Sequence, residues 1–352
     1  MEYYGCSDLG QLHLSVGGRL DFPFDHERNQ KILSLCCNRS APGMPFAKTA
    51  EETLERFLGM RDRLIIRGGV ASSSYENVPC AKCYEYRKGD WGFSLQINKV
   101  TFAPYPSPCQ CRCSYCRVRE DLPLGWEKNP IVVEGYGKIF DFLNLVKSEK
   151  IISPDARWFI AGGEITIHPY KKHIMRLAKG SPTFFFTNGF IFDEDMAQEM
   201  HENPQALLNI SIDCGTAETW HKVKGLNNFP KVIENLKRYS QAAISPRQIV
   251  GKYIILPGIN DSDEDFLSFI ELEKSLNFSL GTFSRDNNTV PEIELPSKIP
   301  LSSKIFNYDL IDSAARFAAL HLKIIGHVSF SNFTEEEKRQ TLNLAEKLLP
   351  YL

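Results

Sequence analysis

Four cysteines fall within eight residues, Cys109-Gln110-Cys111-Arg112-Cys113-Ser114-Tyr115-Cys116, directly after a turn punctuated by Pro104, Pro106 and Pro108. Three of them, Cys109, Cys113 and Cys116, keep the spacing C-x3-C-x2-C. Thiolates this close cannot all serve disulfides, but they can converge on one soft metal centre. Three ligands are one short of the four that close a zinc or iron–sulfur site. The spacing therefore predicts a centre with one position kept for something else. Cys111 lies out of this register and is expected to be a spectator, with Cys111-x-Cys113 as a competing ligand pair.

Composition narrows the partners. The chain has 352 residues, enough for one large domain and a smaller one, and its net charge is −2. Near-neutral charge gives no electrostatic reason to expect nucleic acid or a membrane surface as the main partner. No apolar run reaches the length of a membrane span, and the first residues lack a basic-then-apolar signal pattern. The expected compartment is the cytoplasm, where thiols stay reduced. Ten cysteines there point to metal ligands before disulfides.

Hydrophobic patterning sets the organisation. Residues 1–90 form a cysteine-bearing N-terminal region without clean alternation of helix and strand, containing a helix over 50–63. From residue 91 the texture changes to strands alternating with helices. Strands are expected over 95–103, 157–161, 183–187, 207–213, 249–256 and 278–284, with helices between. Residues 286–352 form a C-terminal α/β extension, whose last helix is announced by the capping box Thr334 and Glu337. Such alternation implies a parallel sheet with right-handed crossovers. The fold expected for 91–285 is a partial (β/α)6 barrel of TIM type. Chemistry in that architecture sits at the C-terminal ends of strands. The cysteine loop, Gly162-Gly163-Glu164, Thr187-Asn188-Gly189, Ser211-Ile212-Asp213 and Pro257-Gly258 all fall at such ends.

These motifs resemble the radical S-adenosylmethionine (radical SAM) superfamily. The resemblance rests on the cysteine triplet with Tyr115 before its last member, on Ala161-Gly162-Gly163-Glu164, on Thr187-Asn188-Gly189, and on Ser211-Ile212-Asp213 ahead of His221-Lys222-Val223-Lys224-Gly225. It implies that Cys109, Cys113 and Cys116 hold a 4Fe–4S cluster whose fourth iron takes the amino and carboxylate groups of S-adenosylmethionine. One electron then yields a 5′-deoxyadenosyl radical that abstracts hydrogen from substrate. The implied cofactor contacts are Gly162 and Gly163 for close backbone approach and Glu164 for the methionyl ammonium. Tyr115 is implied at the adenine, Asn188, Ser211 and Asp213 at polar groups, and Lys252 at the cofactor carboxylate. A one-electron reductant of flavodoxin or ferredoxin type is implied as partner, with a small metabolite, sugar or peptide side chain as substrate.

The remaining cysteines carry further expectations. Cys36-Cys37 and Cys80-x2-Cys83, with Cys6, resemble the auxiliary-cluster (SPASM and twitch) regions of the same superfamily, here ahead of the barrel instead of after it. They are candidate ligands of an auxiliary 4Fe–4S cluster, with structural zinc or unliganded thiols as alternatives. Cys214, after Asp213 at a strand end, is a candidate catalytic hydrogen donor, against the plainer reading of a buried inert thiol. His168, following the Gly-Gly-Glu turn, is the one histidine singled out. Two other function classes stay open: a non-enzymatic iron–sulfur or zinc scaffold, and an RNA-modifying member of the superfamily. The lack of a basic, aromatic-interleaved tract counts against the latter.

Overall fold

The structure is a computed structural model that describes residues 3–20, 32–36, 43–70, 87–116, 122–278, 280–285 and 308–352. Cys37, Cys80 and Cys83 lie outside the described residues. The chain divides into two compact units, one of residues 1–108 and 121–184, the other of 109–120 and 185–352.

In the first unit the strands are β1 (Tyr3–Gly5), β2 (His13–Val16), β3 (Leu33–Ser34), β4 (Gly43–Met44), β5 (Arg87–Gly89), β6 (Ile97–Phe102) and β7 (Ile152–Ile160). The helices are α1 (Ser7–Gly10), α2 (Ala50–Val70), α3 (Pro130–Ser148) and α4 (Lys171–Ala178). The main sheet runs β7-β6-β2-β3-β4. β2 and β7 pair in parallel with β6, and β3 and β4 close the edge antiparallel. The parallel partner β2 comes from the cysteine-bearing region, where no strand was expected although residues 11–16 alternate polar and apolar. All four of its residues are buried, His13 and Ser15 included, so its polar residues do not mark a solvent-facing side. β7 starts earlier than expected and contains Pro154, tolerated where the β6 pairing shifts register between Ile97 and Lys99. α3 begins with Asn129 accepting from the Ile131 amide and with Pro130 in its first turn. It buries Val132, Tyr136, Ile139, Leu143 and Val146, a stripe at spacings of three and four.

In the second unit the strands are β8 (Thr183–Thr187, which spans the division), β9 (Leu207–Ser211), β10 (Ile249–Ile255), β11 (Leu280–Arg285) and β12 (Ser329–Ser331). The helices are α5 (Glu194–Glu202), α6 (Ala217–Lys224), α7 (Phe229–Ala242), α8 (Asp263–Leu276), α9 (Tyr308–Ile324) and α10 (Glu335–Leu348). Sheet order is β8-β9-β10-β11-β12, with β9, β10, β11 and β12 paired in parallel. Tyr253, Phe266, Phe269, Phe283 and Phe317 meet edge-on or tilted in its core. β9 stops two residues short of the expected end, because Asp213 turns into the left-handed region at φ 58°. Each strand from β6 to β12 is followed by a helix, the connectivity of a partial TIM-type α/β fold. No helix of the described residues is long and apolar enough to cross a membrane.

Candidate active site

The cysteine loop is mounted on the last turn of α6. Thr216 caps the start of that helix, accepting from the Thr219 amide, and Gly225 ends it in the left-handed conformation at φ 70°. A helix ends with carbonyls that lack intrahelical partners. Two of these are taken by the loop: the Arg112 amide donates to the Lys224 carbonyl at 2.9 Å, and the Ser114 amide to the Val223 carbonyl at 2.9 Å. Gly225 lies against Arg112, where a Cβ would sit 3.2 Å from the Arg112 Cβ.

Beneath the loop is a closed polar network. Tyr115 donates its hydroxyl to Asp213 Oδ2 at 2.5 Å, and Lys224 Nζ donates to the Tyr115 oxygen at 2.9 Å and also to Asp213 Oδ2. The Ile254 amide donates to Asp213 Oδ1 at 2.7 Å. Lys224 and Asp213 are both wholly buried. Burial pushes the Asp213 carboxyl up, but Lys224 and Lys252 outweigh it and hold it below the usual carboxylate range. The Tyr115 ring packs with Val223, Ile254 and Leu256. Asp213 was expected at polar groups of the cofactor and Tyr115 at the adenine. The Tyr115 hydroxyl and the Asp213 carboxylate anchor the loop; the Tyr115 backbone and ring are the parts the resemblance implied at the adenine.

Cys109 is exposed, Cys113 buried and Cys116 between. Hydrogen bonds to Cys109 and Cys113 push the thiol of Cys111, expected as a spectator, far up. The same bond from Cys111, helped by the charge of Lys224 and opposed by burial, brings the Cys113 thiol down to about 6. Asn188, just past β8, donates from Nδ2 to Cys109 Sγ at 3.7 Å and accepts from Gln110 Nε2 at 3.2 Å. Gln110 Oε1 and Ser114 Oγ are buried without a hydrogen-bond partner. Soft thiols on one loop, one of them poised to ionise, with two orphaned polar atoms beside them, fit a thiolate-held metal cluster. Among the described residues no three His, Cys, Asp or Glu side chains gather as ligands of a single ion. A cluster makes a different demand, since it seats each sulfur on its own iron.

Elsewhere in this unit Lys252 on β10 stands in register with Ser211 on β9 and donates to its Oγ at 3.4 Å. Cys214 is wholly buried, and burial, with Asp265 next, pushes its thiol well up.

The first unit holds the Gly-Gly-Glu turn. Gly162 and Gly163 both have positive φ, 85° and 62°. A Cβ on Gly163 would fall 2.5 Å from Ser107 Oγ and 2.6 Å from the Pro108 carbonyl oxygen, so only glycine fits. The Glu164 amide donates to the Pro108 carbonyl at 2.6 Å, and its buried Oε1 caps the turn Ile165–Ile167 through the Thr166 amide and hydroxyl. His168 accepts from the Tyr170 amide at Nδ1, so Nε2 carries the proton shared with Tyr136, whose hydroxyl donates to the Pro106 carbonyl at 2.8 Å. Burial brings the His168 ring down to about 4. Cys6 and Cys36 are half-buried; their three expected companions, Cys37, Cys80 and Cys83, fall outside the described residues.

The sequence reading placed Lys224 in a family-matching run without giving it a role, and gave none to Gln110. Lys224 stands in a run with His221 and Lys222 that looks like a solvated face. The signal available was its place one residue before Gly225, where a helix end is expected.

Residues 107–270 match the family model of the radical SAM superfamily. The GTP 3′,8-cyclase of Microcystis aeruginosa is 25% identical over 173 residues, covering 47% of this chain and 50% of that protein. The GTP 3′,8-cyclase of Geobacter sulfurreducens is 23% identical over 224 residues, covering 60% of this chain and 65% of that protein. The chain thus spans about half the length of the first of these curated relatives. Among solved structures, Streptococcus suis SuiB bound to its precursor peptide SuiA aligns at a TM-score of 0.48 and 14% identity, over 84% of this chain and 56% of that one.

Proposed function

We propose, for a chain that belongs to the radical SAM superfamily through its residues 107–270, reductive cleavage of S-adenosylmethionine and hydrogen abstraction from an organic substrate. The observation that carries this reading is the cysteine loop itself, three thiols in C-x3-C-x2-C locked onto the end of α6 by two backbone hydrogen bonds and a buried ion pair. When bound, a 4Fe–4S cluster and S-adenosylmethionine supply the electron and the 5′-deoxyadenosyl radical. The chain's own residues hold and orient. Cys109, Cys113 and Cys116 bind the cluster, and Asn188 donates to the Cys109 sulfur. Ser211 and Lys252 supply polar groups for the methionyl and ribose ends; in the first unit Gly162 and Gly163 keep a backbone turn free of side chains.

The substrate is a small metabolite or a peptide side chain. The named activity of the cyclase relatives adds a nucleotide to that range. A flavodoxin- or ferredoxin-type reductant in the cytoplasm supplies the electron. Burial favours a packing role over hydrogen donation for Cys214. Cys6, Cys36, Cys37, Cys80 and Cys83 are the candidate ligands of an auxiliary cluster.

Counting iron and sulfide after anaerobic reconstitution tests the ligand assignment. The Cys109→Ala/Cys113→Ala/Cys116→Ala variant is expected to lose about four irons per chain relative to wild type. Unchanged iron would take the cluster off these cysteines. Complete loss of iron would leave the auxiliary site without support.

A further inference from the structure

We propose that Lys99 and Arg157 form a binding site for the anionic group of the substrate, a phosphate or a carboxylate, on the face of the first unit's sheet turned away from α3. That the bound anion belongs to the substrate rests on the radical SAM reading; the site itself stands on the geometry of this sheet.

Strands of a parallel sheet are usually apolar on both faces. One face of β6 and β7 obeys this: Val100, Phe102, Trp158 and Ile160 are buried, and Phe102 stacks on Phe140 of α3. The other face does not. His13, Lys99 and Arg157 stand side by side in register across β2, β6 and β7, and the next row is Ser15, Thr101 and Phe159. Arg157 is exposed while Ala156 and Trp158 on either side of it are buried, so its side of the strand meets open space.

This row is braced. Asp8 of α1 lies 3.0 Å from Lys99 Nζ and 3.2 Å from Nδ1 of the wholly buried His13, whose Nε2 meets Thr101 Oγ1 at 2.8 Å. Lys99 Nζ also lies 5.4 Å from the centre of the Phe159 ring. Holding a long side chain in one place costs rotamer entropy that a solvent-exposed ion pair barely returns. A face that met only water would gain nothing from the brace, whereas a ligand gains a cation already in position.

The charges do not cancel. Asp8 is a single carboxylate between Lys99 and His13, and burial drives the His13 ring down, which keeps it neutral. Arg157 donates from Nη2 to the neutral Gln11 at 3.2 Å and forms no ion pair among the described residues, the exposed Asp155 two positions back included. Two cations against one carboxylate leave this face positive. A guanidinium fork beside an ammonium suits the oxygens of a phosphate or carboxylate.

The row also stands at a suitable height. Pairing of β6 with β2 continues to Ala103, whose amide donates to the Val16 carbonyl, and Ala103 lies against Gly162, where a Cβ would fall 3.1 Å from the Ala103 Cα. From Lys99 to Ala103 the strand climbs about 13 Å, room for one small molecule between the cations and the Gly-Gly-Glu turn. Phe159 and Phe184, half-buried and stacked at 4.6 Å, give that space a flat apolar wall.

The test is calorimetric titration at fixed ionic strength of the anaerobically reconstituted protein with phenyl phosphate and, in a second arm, benzoate; the tighter binder names the anionic group. Arg157→Gln and Lys99→Gln are each expected to bind the probe about tenfold more weakly or worse. Arg157→Lys, which keeps the charge, should recover part of that loss, and Lys172→Gln, an exposed cation on α4, should bind as wild type does. If Lys99→Gln does not fold for want of its pairing with Asp8, Arg157→Gln decides alone, since that side chain is exposed. Three results overturn the inference: neither probe saturates wild type, Arg157→Gln binds as tightly as wild type, or Lys172→Gln loses as much. Formation of 5′-deoxyadenosine by the same preparation, with S-adenosylmethionine and dithionite, is read separately. Its absence removes the radical SAM reading and the assignment of the anion to substrate, while failure of the titration removes the site alone.

Discussion

Gly163 and His168 show how single residues fix the turn that follows β7. Gly163 combines φ 62° with contacts that leave no room for a Cβ. Gly163→Ala is expected to destabilise the protein by about 2 kcal/mol or more, read as a lower midpoint in denaturant. An unchanged midpoint would mean that the turn relaxes freely. His168 is held neutral by burial, its ring brought from an ordinary 6.5 down to about 4. A histidine with a depressed value binds fewer protons folded than unfolded, so stability is present above pH 6.5 and lost as pH falls toward 4. Wild type is expected to lose up to about 3 kcal/mol across that window from this residue. Unfolding curves at the two ends should show a smaller loss for His168→Gln, and an identical loss would clear His168 of the effect. The cysteine triplet was legible because metal-ligand spacing survives in sequence. The occupation of Tyr115 and Asp213 was not, since their partner Lys224 stands 109 and 11 residues away from them.

At the scale of elements, α6 is the piece that sequence patterning passed over. It has eight residues, with Lys222 and Lys224 around its buried Trp220 and Val223, too short for a convincing helical period. Its structural support comes from outside: Asp265 on α8, itself buried, accepts from the Gly215 amide at 2.8 Å, the Thr216 amide at 2.9 Å and the Tyr253 hydroxyl at 2.5 Å. Asp265→Ala leaves the part-buried Gly215 and Thr216 amides without this acceptor, while the Tyr253 hydroxyl keeps the Asn260 carbonyl, and is expected to cost about 2 kcal/mol. Thr216→Ala removes the cap and the hydroxyl's own bond to Asp265 but keeps the Asp265 carboxylate for both amides, at about 1 kcal/mol. Denaturant unfolding of the two variants checks the ranking, and equal or reversed costs would mean that Asp265 does not carry the helix. The longer elements were legible. α3, α7 and α8 show apolar stripes and β8 and β10 apolar runs, whereas β2 is only four residues long and sits in a region without regular alternation of helix and strand.

For the whole molecule, the repeated strand-then-helix order and the motifs at strand ends were readable before any coordinates, because parallel sheets place loops at those ends by construction. The residues that choose a substrate were not readable, since no spacing rule encodes them. The central claim, that this loop supports reductive cleavage of S-adenosylmethionine, has one direct measurement. Anaerobically reconstituted protein is mixed with S-adenosylmethionine and dithionite, and 5′-deoxyadenosine is sought by chromatography. The account predicts that it forms with wild type and falls to background with Cys113→Ala. Background levels from iron-loaded wild type, or undiminished product from Cys113→Ala, would contradict it.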